Sequence, residues 1–141
     1  LYRGKMNILL IGNEWWLFDD LAQGLSKAGN THLVYAGSAS AGLEQLREKG
    51  KKAVDLVIVG GHLSDKAGIR FIHQIVRINP LVNTALVGSL PDDEFHDATE
   101  GLGVLMQLPP RPTEKDGEKL LELLGKITGL MEPTAVGAEK K

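Results

Sequence analysis

His62 has the widest chemical repertoire in the stretch VDLVIVGGHLSDKAG, residues 54–68, and no partner of the right type stands near it in sequence. A transition-metal site needs several nitrogen or sulfur ligands at close spacing. His32, His73 and His96 read on other elements, and the chain has no cysteine. We therefore expect a hydrogen-bonded or solvated histidine, with no metal and no cofactor. The absence of cysteine also removes a thiolate nucleophile and a disulfide framework. Two acids and a hydroxyl stand just past strand-like runs: Glu14, Asp65 and Ser89. Asp65 suits a cap on the helix opened by Gly68, and Ser89 a cap on the helix after Pro91. Asp55 precedes its strand and belongs to the opposite end of the sheet. Gly12 and Gly60-Gly61 are no dinucleotide fingerprint, because Gly-Asn-Glu-Trp after the first strand lacks the later glycines of that loop. No P-loop, no G-x-S-x-G and no catalytic triad is present.

Along the chain, apolar runs alternate with helical patterns. Met6–Ile11 is a buried strand closed by Gly12 and Asn13. A helix follows with Leu17, Leu21, Gly24, Leu25 and Ala28 at helical spacing, stopped by Gly29 and Asn30. Thr31–Ala36 is a second strand, and Gly37-Ser38 opens a helix bearing Ala41, Leu43 and Leu46. Leu56–Val59 is a third strand, and Gly68–Ile78 a helix with Phe71, Ile72, Ile75 and Val76 inward. Residues 84–87 form a fourth strand, followed by a short acidic helix with Asp92, Asp93, Glu94, Asp97 and Glu100. Residues 104–107 form a fifth strand. Thr113 to Asp116 has the form of a capping box with Asp in place of Glu, opening a last helix whose stripe is Leu120, Leu123, Leu124 and Ile127.

Strand–helix alternation of this kind predicts an α/β domain: a flavodoxin-like, doubly wound, five-stranded parallel sheet of order 2-1-3-4-5 with five helices. In such a sheet ligands sit beyond the strand ends, where strands one and three lie side by side. Gly12, Asn13 and Glu14 then face Gly60, Gly61 and His62. At 141 residues, with 43% hydrophobic and 24% charged residues, one domain is expected. We assign it to residues 6–131, with residues 1–5 a linker or expression remnant and 132–141 a flexible tail. No apolar run reaches the ~18 residues of a membrane helix. The net charge of −2 and scattered Lys and Arg oppose a nucleic-acid surface. A cytoplasmic protein with neither membrane nor nucleic-acid partner is expected.

The order and spacing of these pieces resemble the receiver domain of bacterial two-component response regulators. The resemblance runs from Met6 to Leu130 and rests on Asp-Leu-Val-Ile-Val before Gly60, on Gly68-Ile-Arg-Phe-Ile-His-Gln-Ile-Val-Arg-Ile-Asn-Pro80, and on Gly101-Leu-Gly-Val-Leu-Met-Gln-Leu-Pro109. In that family an aspartate after strand three takes up phosphate. An acid pair after strand one helps hold Mg²⁺, and a Thr or Ser after strand four and a Lys after strand five contact the phosphoryl group. Transposed here, the nucleophile position is Gly60 and the acid pair is Gly12 and Asn13. The hydroxyl position is Gly88, with Ser89 next to it, and the lysine position is Leu108. The aromatic switch position is Leu105. Leu108-Pro109 corresponds to a bond that is usually cis in the family.

What the resemblance implies is therefore a degenerate receiver: no carboxylate nucleophile at Gly60 and, at the metal positions, one uncharged oxygen, on Asn13. Asp65 or Glu14 remains as an alternative acceptor. Trp15 and Trp16 stand near the mouth of the cleft. At ~100° per residue Trp15 faces away from the helix stripe and Trp16 lies on its flank. They either fill the cleft, dock a partner or line a ligand pocket. The expected function is a non-enzymatic, phosphorylation-independent signalling module acting on a protein partner or fused output domain. Self-association through helix four, strand five and helix five, where acids meet Lys115, Lys119 and Lys126, is expected alongside it. A small-molecule sensor using Gly12, Asn13, Gly60, Gly61 and His62 is the alternative.

Overall fold

The computed structural model describes residues 6–47, 54–60 and 67–129. Gly61, His62 and Asp65, the lysines at 49, 51 and 52, and the expected terminal segments 1–5 and 132–141 lie outside the described residues. Strands β1 (Met6–Ile11), β2 (Thr31–Ala36), β3 (Leu56–Val59), β4 (Asn83–Val87) and β5 (Val104–Leu108) form one parallel sheet of order β2-β1-β3-β4-β5. Helices α1 (Asp19–Ser26), α2 (Ala39–Arg47), α3 (Gly68–Ile78), α4 (Asp92–Thr99) and α5 (Glu114–Gly129) cover its two faces. The expected doubly wound fold is the observed one.

Alternation along the strands builds two cores. Ile8 and Leu10 of β1, with Leu56 and Ile58 of β3, pack under Phe18, Leu21, Leu25, Leu120 and Leu124 of the α1/α5 layer. Leu9, Ile11, Val57 and Val59 face the other way, onto Phe71, Ile72 and Ile75 of α3 and Phe95 of α4. All four residues of β3 are buried, as a central strand covered on both sides requires.

Local signals start the helices. The Ser38 hydroxyl accepts from Ala41 N–H at 3.1 Å, capping α2. The Asp116 carboxylate accepts from Thr113 N–H at 2.8 Å while Thr113 Oγ1 accepts from Asp116 N–H at 3.2 Å, so the capping box forms with Asp in the Glu position. The α1 region differs from expectation. Trp15–Phe18 form a 3₁₀ turn, and α1 begins only at Asp19. Phe18 rather than Leu17 becomes the buried residue, and Ala28 lies exposed beyond the helix end. On α5, Ile127 is 38% exposed rather than part of the buried stripe.

The two helices of the first layer meet backbone to backbone. A methyl group on Gly24 would fall onto the carbonyl oxygen of Glu114, and one on Gly117 would lie 2.6 Å from the Leu21 carbonyl oxygen and 2.9 Å from Leu25 N. Lys27 spans the crossing, with Nζ 2.7 Å from Glu118 and 3.0 Å from Glu114. These two carboxylates, Glu118 foremost, raise the ammonium pKa above its usual value.

Alanine favours a helix over glycine by about 1 kcal/mol, but overpacking against immovable backbone costs about 1–3 kcal/mol or more. Gly24→Ala and Gly117→Ala are therefore expected to lower the stability measured by urea unfolding. Gly125→Ala, with nothing within 4 Å of the new methyl, should raise it by about 0.5–1 kcal/mol. The Thr84 hydroxyl is buried with no hydrogen-bond partner among the described residues. Thr84→Val should accordingly stabilise the fold, by about 1 kcal/mol in the same assay.

Candidate functional site at the strand ends

Three glycines close the sheet at its C-terminal edge. Gly12 N–H donates to Ala36 O at 3.0 Å, Gly60 N–H to Ile11 O at 2.9 Å, and Gly88 N–H to Leu108 O at 2.9 Å. Each extends a ladder one residue past its strand. Their amide donors are thus committed to the sheet and do not form an anion cradle. Above them lies a cavity of about 460 Å³ whose wall includes Gly12, Asn13, Glu14, Gly60, Gly88 and Ser89. The expected meeting of the β1 and β3 ends is observed for Gly12, Asn13, Glu14 and Gly60.

Two residues missed from the sequence shape this cavity. The Phe18 ring occupies the space over Gly12, where an added Cβ would stand 3.3 Å from Cε2. The Gln107 side chain does the same at Gly88, where a Cβ would come within 2.9 Å of Oε1. Phe18 was visible as the i−3 and i−7 neighbour of Leu21 and Leu25. Gln107 left no such signal.

Gln107 reaches the cavity because β5 carries a bulge. Thr84 pairs with Val104 and Leu86 with Gln107, so three steps on β5 oppose two on β4. Leu105 and Met106 consequently pack on the same face, against the α1/α5 core. Beyond them the alternation is inverted: Gln107 lines the cavity and Leu108 is wholly buried under α1 and α5. Leu108, expected at this corner of the cleft, is instead a core residue. The Gln107 amide clasps the Leu90 peptide from both sides, accepting from Leu90 N–H at 2.8 Å and donating to Leu90 O at 3.0 Å. The β4–α4 loop is pinned to β5.

Ser89 is exposed on the cavity wall and does not cap α4, whose N-cap residue is Pro91 with no side-chain cap. The N-cap of α3 is Ala67, also without a side-chain cap. Asp55 accepts from Asn7 N–H at 2.8 Å and so belongs to the opposite edge, as expected. Leu108-Pro109 is trans. Trans is the isomer favoured at X-Pro bonds, by about 0.5–1 kcal/mol. Trp15 and Trp16 are exposed and absent from the cavity wall, so they do not fill the cleft. Among the described wall residues Glu14 is the sole ionisable side chain. No cluster of three His, Cys, Asp or Glu suited to a metal occurs among the described residues.

No family model matches the chain, and no curated protein does. Solved structures do. A response regulator receiver domain protein from Methanospirillum hungatei JF-1 is 18% identical with a TM-score of 0.73, over 90% of this chain and 99% of that one. The signal receiver domain of an HD domain-containing protein from Pseudomonas fluorescens Pf-5 is 21% identical with a TM-score of 0.73, over 95% and 97%. An uncharacterized protein from Neptuniibacter caesariensis is 20% identical with a TM-score of 0.74, over 96% and 100%. At these identities the likeness establishes the receiver fold.

Removing the clasp tests what holds the loop. In Gln107→Ala the Leu90 amide should exchange with solvent at least tenfold faster by NMR, while the Leu86 amide in β4 keeps its protection. The loss of two hydrogen bonds should lower stability by about 1–2 kcal/mol. Unchanged exchange at Leu90 would show that something other than Gln107 fixes the loop.

Proposed function

We propose that the chain is a degenerate receiver domain of the response-regulator family, acting as a phosphorylation-independent interaction module rather than an enzyme. The single observation that carries this reading is Gly60. It stands at the position the resemblance gives to the aspartyl nucleophile, and its N–H is tied to Ile11 O at 2.9 Å. Side-chain volume at two other positions of the phosphorylation site has been taken over: Phe18 lies over Gly12, and Gln107 over Gly88. A carboxylate restored at Gly12 would meet an aromatic ring, and a hydroxyl restored at Gly88 would meet the amide. Neither substitution is a simple reversion.

A pinned β4–α4 loop fits a module that holds one conformation without phosphate. Its output then depends on which surfaces it presents. The acids of α4 and the lysines of α5, Lys115, Lys119 and Lys126, are exposed and opposite in charge, which supports pairing between two copies across a two-fold axis. The likeness to the receiver domain of an HD domain-containing protein supports a fused output domain as the other kind of partner.

The cavity favours a second reading, a small-molecule sensor. Its volume of about 460 Å³ falls in the range of ligand pockets. The described wall carries one ionisable side chain, Glu14. Screening by thermal shift separates the two readings. A ligand present at 100 times its Kd stabilises the fold by about 2.7 kcal/mol.

The direct test is intact mass and tryptophan fluorescence after Mg²⁺ with acetyl phosphate, then with beryllofluoride. No mass gain and no change in emission are expected. A stable gain of one phosphate would mean that Asp65, Glu14 or another acid serves as acceptor, and the phosphorylation-independent reading would fall.

A further inference from the structure

Trp15 and Trp16 are 56% and 50% exposed. Their rings meet edge to face at 5.8 Å and 80°. The turn that carries them does not need them for its own packing. It is closed by Leu17 N–H donating to Glu14 O at 3.0 Å and anchored by buried Phe18. Two large apolar rings held outward by a fixed turn form an exposed patch of the kind that marks an interaction surface.

The charged residues next to the two rings in sequence are of one sign. Glu14, Asp19 and Asp20 flank the two rings and are exposed. Between residues 6 and 46 the one Lys or Arg is Lys27, and it is engaged with Glu114 and Glu118 across the α1–α5 crossing. Tyr35 of β2, 42% exposed, borders the same region. Its phenol pKa is raised first by burial and then by the Asp19 carboxylate, which places that acid's field at the sheet edge. No cation supplied by the described residues of this segment neutralises the three carboxylates.

One side-chain chemistry satisfies both features. A guanidinium stacks on indole faces and donates paired hydrogen bonds to carboxylates, and it is desolvated more readily than an ammonium. A purely apolar partner would leave the carboxylates unused, and an acidic or phosphorylated one would be repelled.

We propose that Trp15 and Trp16, with Glu14, Asp19 and Asp20, form a docking surface for an arginine-bearing basic segment of a partner protein. The proposal rests on the interaction-module reading and names the partner chemistry of that module. Because Glu14 also lines the cavity, a guanidinium bound at the rings sits at the cavity mouth.

The test uses the full chain and three fluorescein-labelled peptides of one length: one with three arginines in a Gly/Leu background, one with citrulline at those places, and one with lysine. Binding is read by anisotropy and by tryptophan emission. The arginine peptide is expected to bind and to alter the emission, with affinity falling as salt rises. Citrulline should weaken binding at least tenfold, and lysine by less. Trp15→Ala, Trp16→Ala and the combined Glu14→Gln, Asp19→Asn, Asp20→Asn variant should each lose tenfold or more, with unfolding midpoints close to the parent. No binding of the arginine peptide overturns the proposal, as does equal affinity for the citrulline peptide. An emission change that tracks protein concentration without peptide also overturns it, by making a second copy the occupant. Phosphate uptake from acetyl phosphate would instead overturn the parent reading while leaving the peptide result intact.

Discussion

The contact between α1 and α5 sets what the upper edge of the sheet can hold. Two glycines let the helices touch at the backbone: Gly24 against Glu114, and Gly117 against Leu21 and Leu25. With no side chains between them, α1 has little freedom to slide or rotate over β1. Its entry turn is thereby fixed. Phe18 points down over Gly12, and the two tryptophans preceding it are left facing solvent. A larger residue at either glycine would lift α1 and displace Phe18. The composition of the strand-end cavity is therefore tied to a packing contact on one face of the sheet.

The cavity itself is defined by what surrounds three glycines. Their N–H groups extend the sheet ladders, so they have no donors to offer a ligand. The space above two of them is claimed by neighbours of different character, an aromatic ring and a carboxamide. The result is a cleft in the usual ligand position of a doubly wound sheet, with a mostly apolar wall and, among the described residues, one carboxylate, Glu14. The glycine amides of a phosphate site would face the anion; those of Gly12, Gly60 and Gly88 face the neighbouring strands instead.

Much of the fold was legible because the signals were local. β1, β2, β3 and α3 have the expected bounds, each delimited by Gly, Asn or Pro where the apolar run ends. Caps at Ser38 and Thr113–Asp116 formed because the groups involved are three residues apart. The parts that were not legible depend on pairing or packing across elements. The β5 bulge exists in the register between β4 and β5, and no residue of Val104–Leu108 announces it. Counting alternate residues from Val104 without the bulge gives the wrong face for both Gln107 and Leu108. The 3₁₀ turn likewise follows from seating Phe18 in the core rather than from helix periodicity, which treats Leu17 and Phe18 as near equivalents. Ile127 lies too far along α5 to find cover from the sheet.

β5 is also an outer strand of the sheet, with one side of its backbone unpaired. An open, regular strand edge is a template on which another chain can add itself. The bulge that swings Gln107 into the cavity also breaks the repeat of donors and acceptors along that edge. One irregularity therefore serves two ends: it selects the side chain at the cleft and blunts a place where the protein would otherwise seed its own aggregation. A sequence change that straightened β5 would alter the lining of the cleft and colloidal behaviour together.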